Sequence, residues 1–282
     1  MNLNRFWKIY FLPGIVFQSI LMGGGYATGR EVVEYCARFG YEGVFVTTIV
    51  AFGFALLFFL SIDLSISTKS FDYRSWSKQM LGLLWPMFDV LFIIMSIIAI
   101  AVVTAAVCNI MEITISFEYQ YSIIVIVTIV GILSYKGRST LEKFKTLGSL
   151  LLYIAFFIFL FCFFNTNKHS QSEILYFNPD SNWFVSSLKY ILYNAVVIPA
   201  CLFTFDVIEN RRQAIISSII AGVLGVVPML ILLMIFIGPF GTNEILKSEL
   251  PLFAILTKKG SNLLLLLYYL TLLYTLIETC TG

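Results

Sequence analysis

Residues 23–29 read GGGYATG, inside an apolar stretch that begins near Trp7, and the charged run REVVEYCARFG follows directly at residues 30–40. Four glycines in seven positions weaken a helix by about 1 kcal/mol each relative to alanine. They also let other groups approach the backbone. Small residues in a membrane helix commonly serve close packing against a neighbour. Here the glycines are consecutive, polar Tyr26 and Thr28 stand among them, and Arg30, Glu31, Glu34 and Arg38 come next. Charges are costly in lipid, so these should face a cavity, the bundle interior or the outer surface. The stretch is read as an unwound, site-forming segment within a first span, with Arg30 and Glu31 as candidate gating residues.

The rest of the chain supplies the setting. Of 282 residues, 59% are hydrophobic and 12% charged, with a mean hydropathy of +0.91. Soluble globular chains carry about 25% charged residues. Lipid is therefore the expected solvent for much of the surface, and the chain is read as an all-α polytopic membrane protein. A net charge of +2 without a basic stripe gives no reason to expect nucleic acid as a partner. The expected partners are the lipid bilayer and a small solute.

Eight spans are expected, at about 7–38, 43–62, 83–108, 121–135, 147–164, 184–208, 213–237 and 261–280. Basic residues concentrate in the short loops at 136–145 and 209–212, which places the N-terminus in the cytoplasm. A cleaved signal peptide is the lesser reading of the opening residues, because no convincing cleavage site follows and seven more spans do. The chain stops directly after an apolar run, as though it ended early.

The sixth span reads WFVSSLKYILYNAVVIPACLFTFDVIENRR, with Asn194 and Pro199 near its middle. Proline removes a helical hydrogen bond and frees carbonyls that need another partner. A simple kink would account for it alone. The two interruptions fall in the first and sixth spans, which are equivalent positions of two five-helix halves, at 1–164 and from 184 onward. Broken segments at matching positions are the best sequence pointer to a transporter site. Asp206, with Thr204, could form an inner gate or relay a proton; pairing with Arg211 or Arg212 is the plainer account. The stretch at 242–260 is either an outer lid or an ordinary connection.

The GGGYATGRE segment, the YN…P pattern of the sixth span and the following NRR resemble the YkvI-like bacterial membrane proteins of the amino acid–polyamine–organocation superfamily. The resemblance implies the LeuT-type fold of two inverted five-helix repeats in a bacterial plasma membrane, with helices nine and ten missing here. It also implies a solute site around Gly23, Gly24, Gly25, Tyr26, Ala27, Thr28 and Gly29 on the first helix and Asn194, Ile198, Pro199 and Ala200 on the sixth. Na⁺ or H⁺ would be the coupling ion. A Na⁺ site would lie near Gly23, Thr279 and Thr281, although ordinary helix hydroxyls explain the two threonines as well. Arg30 departs from the uncharged polar residue expected at its place.

The function this implies is secondary active transport of an amino acid or related organic compound by alternating access. A transporter-like ligand receptor and an inactive fragment are the alternatives. No enzyme motif appears. Cys36, Cys108, Cys162, Cys201 and Cys280 are scattered, with His169 the one histidine, so neither a zinc nor an iron–sulfur cofactor is expected.

Overall fold

The computed structural model describes residues 3–22, 26–135, 150–151, 153–162, 182–238, 243–259 and 262–281. Gly23, Gly24, Gly25 and His169 therefore lie outside the described residues. Within them the chain is helical and contains no strand. The helices are α1 (Leu3–Tyr10), α2 (Leu12–Leu21), α3 (Arg30–Tyr35), α4 (Gly43–Thr68), α5 (Tyr73–Leu81), α6 (Trp85–Ile115) and α7 (Tyr119–Tyr135). They continue with α8 (Tyr153–Cys162), α9 (Trp183–Ala195), α10 (Arg211–Ile237), α11 (Asn243–Lys247), α12 (Pro251–Lys259) and α13 (Asn262–Thr281).

Local chemistry sets several boundaries. Asp72, Asn182 and Asn210 cap α5, α9 and α10, each accepting from a backbone N–H of the first turn. Short polar side chains with extended backbone are suited to that role. A tight 3₁₀ segment, Ile198–Val207, continues α9 at a bend of 66°. The bend falls where the sequence predicts the sixth span to break.

Among the described residues, three helical stretches are long and apolar enough to cross a membrane, and a fourth if the bent pair counts as one span. The other expected spans coincide with shorter apolar helices, so the count of eight crossings stays an expectation. Exposed Met87, Val90, Leu91, Ile93, Ile94, Ile97 and Ile98 cover several sides of α6. Such a surface suits lipid better than water. The architecture is thus that of an all-α chain with long apolar helices, consistent with a membrane protein.

Helix directions can be read from contacts along each pair. Gly14 meets the backbone of Ala221, Tyr26 reaches Gly225 and Gly29 faces Phe236, so the first span runs parallel to α10. Gly43 faces Leu233, Gly222 faces Ala51 and Ala55, and Asp63 pairs with Arg211 at 3.5 Å, so α4 runs antiparallel to α10. A Cβ on Gly222 would stand 2.5 Å from the Ala51 carbonyl oxygen, so this crossing requires glycine. Phe45 lies against Trp183, Gly53 against Ile191 and Phe58 against Phe205, so α4 runs parallel to α9 and its 3₁₀ continuation. Arg5 pairs with Glu209 at 2.6 Å, and the Ser186 hydroxyl donates to the Tyr35 carbonyl at 3.0 Å. The first span therefore runs antiparallel to the sixth.

These four spans form one bundle, and α6, α7 and α13 pack together as a second group. Exchanging the first span with the sixth, and α4 with α10, maps the two parallel pairs onto each other. It maps each antiparallel pair onto itself.

Candidate functional site

The first helix does break where the glycines predict. α2 ends at Leu21, and the Met22 carbonyl accepts from Ala27 N–H at 3.0 Å, a five-residue step rather than the α-helical four. Gly29 then takes a left-handed conformation (φ 78°) as the cap of α3. A Cβ there would stand 2.5 Å from Phe236 Cζ, so both backbone and space call for glycine.

Three long side-chain and backbone contacts fix this break. The hydroxyl of fully buried Tyr26 donates to the Gly225 carbonyl at 2.9 Å. The hydroxyl of Tyr268, on α13, donates to the Ala27 carbonyl at 3.0 Å. The Leu252 N–H donates to the Thr28 carbonyl at 3.3 Å. Carbonyls released from α-helical bonding inside an apolar bundle need such partners.

On the sixth span, Pro199 offers no N–H to the Ala195 carbonyl, and the chain turns with three-residue steps, Val197 N–H to Asn194 O and Ala200 N–H to Val197 O. Buried Asn194 donates back to the Tyr190 carbonyl at 3.0 Å, so its amide nitrogen serves its own helix. Pro199 and Ala200 line a cavity of about 710 Å³ together with Asp206, Lys69, Asp72, Tyr73 and the rings of Phe71, Phe92 and Phe203. That volume lies in the range of small-molecule sites. The lining brings one cationic and two acidic side chains into an aromatic frame. Ser75 donates through its N–H at 3.0 Å and through its hydroxyl to Asp72, and these bonds hold the Asp72 carboxyl below the usual carboxylate range.

The remaining gating residues divide between two places. Asp206 is exposed in the cavity wall. Arg30 and Glu31 stand at the other end, on α3. Arg30 donates to the Leu246 carbonyl at 2.8 Å and the Ser248 carbonyl at 3.3 Å, and pairs with Glu34 at 3.6 Å. It thereby ties the α11–α12 connection to the first span. Glu31 accepts from the Tyr193 hydroxyl at 3.2 Å. Tyr190, fully buried, is within electrostatic reach of Tyr26 and Glu31, and its hydroxyl has no hydrogen-bond partner among the described residues.

The structure thus brings Tyr26, Ala27, Thr28 and Gly29 together at one break and Ile198, Pro199 and Ala200 at the other. Ile198 is buried, and only Pro199 and Ala200 reach the cavity. Thr279 and Thr281 lie on the last turns of α13, and with Gly23 outside the described residues nothing is added to the expected Na⁺ site. Among the described residues no group of His, Cys, Asp or Glu could hold a metal ion.

Sequence reasoning missed Tyr190, Tyr193 and Tyr268, and the cavity wall from Lys69 to Tyr73. The i,i+3 spacing of Tyr190 and Tyr193 beside a break was a usable signal. No protein-family model matches the chain, and no curated protein matches it.

Proposed function

We propose that the chain is a secondary active transporter of a small solute, an amino acid or related organic compound, working by alternating access around the broken first and sixth helices. One observation carries the reading. Two interrupted spans run antiparallel to each other, and their neighbours α4 and α10 do the same, which is what two inverted repeats require. The LeuT-type resemblance of the sequence agrees with this arrangement.

With the N-terminus cytoplasmic, the cavity at Pro199, Ala200 and Asp206 opens inward. The α11–α12 connection, held by Arg30 and Thr28, then closes the outer side. The conformation is in this reading inward-facing. Broken helices suit such a site because their backbone groups meet a solute without a desolvated side-chain charge. A Na⁺ or H⁺ gradient would drive the cycle.

Uptake into proteoliposomes tests the proposal. Accumulation of a labelled amino acid that needs a Na⁺ or pH gradient is the expected result. Specific binding with no gradient-driven accumulation would overturn transport in favour of a receptor.

A further inference from the structure

The bond between Glu31 and Tyr193 joins the two halves of the site that the breaks separate from the rest of their spans. Glu31 is on α3, beyond the break of the first helix. Tyr193 and Tyr190 are on α9, before the break of the sixth. The Tyr193 hydroxyl donates to Glu31 Oε1 at 3.2 Å, and Tyr190 lies in the same cluster, fully buried, its hydroxyl without a hydrogen-bond partner among the described residues. Tyr35 closes the cluster, its ring 5.2 Å from that of Tyr190 and 6.5 Å from that of Tyr193.

The charges around Glu31 are otherwise committed. Arg30 serves the Leu246 and Ser248 carbonyls and pairs with Glu34. Arg38 pairs with Glu34 at 3.1 Å. From α9 the facing titratable groups are Tyr190 and Tyr193; from the break, Tyr26; from α3 itself, Tyr35 and Glu34. Lys258 of α12 pairs with Glu244. Among the described residues no Lys or Arg makes an ion pair with Glu31. A half-buried carboxylate inside an apolar bundle without a cation is costly, and in membrane proteins such an acid marks a proton or ion pathway. Tyr193 is 41% exposed, so water, and with it a proton, has access to the cluster.

We propose that Glu31 is the proton-binding group of this chain, with the Tyr193 hydroxyl as its hydrogen-bond donor and the Tyr190 hydroxyl held beside it in the same cluster. The inference rests on the transport reading and deepens it by naming the coupling ion as H⁺. Protonation forms one O–H bond on the carboxylate and removes its charge. The new O–H needs an acceptor, and the Tyr190 hydroxyl, which has no hydrogen-bond partner among the described residues, has the lone pairs to serve. The Tyr193 bond, donated to a carboxylate, is weaker once that group is neutral. Loading therefore changes the contact between α3 and α9, the two elements that must separate to open this side.

Infrared difference spectroscopy of the purified chain in lipid, across a titration from acid to neutral pH, tests this without any solute. Its outcome is therefore separate from that of the uptake assay. The expected result is a carboxyl C=O band that titrates in the wild type and is absent from Glu31→Gln. Tyr193→Phe keeps the carboxyl but removes a donor to its charged form, and should move the midpoint to higher pH. If Glu31→Gln does not fold, the Tyr193→Phe shift decides alone. A band unchanged in Glu31→Gln, or a midpoint unchanged in Tyr193→Phe, would overturn the proposal.

Discussion

The Tyr268 hydroxyl donates to the carbonyl of Ala27 at 3.0 Å, across 241 residues of sequence, and both groups are buried. The bond satisfies a carbonyl next to the first-helix break from α13, a member of the second helix group. It couples the two groups at the point where the chain leaves α-helical geometry.

Tyr268→Phe would leave that carbonyl without its donor. Hydrogen bonds within membrane proteins average about 0.6 kcal/mol, and an unsatisfied buried group costs about 1–3 kcal/mol. We expect a loss of about 1–2 kcal/mol, measured by denaturant unfolding in detergent. A loss no larger than that of Tyr269→Phe, its partly exposed neighbour, would show the bond to be unimportant.

Gly29→Ala should destabilise for two separable reasons. The left-handed backbone costs a side chain about 1–2 kcal/mol, and the new Cβ collides with the ring of Phe236. Adding Phe236→Leu to Gly29→Ala should recover the collision and leave the backbone cost. The double-mutant cycle checks this: the double variant should be less destabilised than the sum of the two single variants, whereas strict additivity would mean that the collision costs nothing.

Gln18 is fully buried one turn before the break, and neither atom of its amide has a hydrogen-bond partner among the described residues. Desolvating an unpaired amide costs about 1–3 kcal/mol on mutational scales. Gln18→Met, similar in volume, should therefore raise the thermal midpoint. A lowered midpoint would mean that the amide is partnered in solution.

Arg30→Gln should loosen the α11–α12 connection, since it removes the charge from two bonds to loop carbonyls and the pair with Glu34. Hydrogen exchange across residues 244–252 is expected to rise about tenfold, equivalent to roughly 1.4 kcal/mol of opening free energy. Unchanged exchange would mean that Leu252 and Thr28 hold the connection without Arg30.

Asp72→Ala removes the cap of α5 and should cost about 1 kcal/mol near neutral pH. The Asp72 carboxyl is held below its ordinary range, so its contribution is complete above the unfolded value and is lost as pH falls through the folded one. The stability difference from wild type should shrink on acidification. A constant difference would assign the effect to helix propensity instead.

Both breaks were legible because each is a local event. Pro199 and the glycine run act on their own helices, whatever surrounds them. The helical class was equally open to reading, since composition determines the solvent. Directions and partners were not. The Glu31–Tyr193 contact joins residues 162 apart, and the Tyr26–Gly225 contact joins residues 199 apart. Single-sequence periodicity carries no information on such pairings. The cavity was half visible: Pro199, Ala200 and Asp206 were expected, while Lys69, Asp72 and Phe92 enter it only because the connection after α4 folds beneath the 3₁₀ segment.

Solute-dependent thermal stabilisation tests the central claim, a solute site in the cavity at the sixth-span break, most directly. The purified chain would be screened over amino acids and related solutes, with Na⁺ or K⁺ and at several pH values. A solute that binds only the folded state at 100 times its Kd adds about 2.7 kcal/mol of stability. The account predicts a shift confined to one solute class, dependent on pH, and lost in Ala200→Trp, which fills the cavity. No shift with any solute, or one that Ala200→Trp leaves intact, would contradict it.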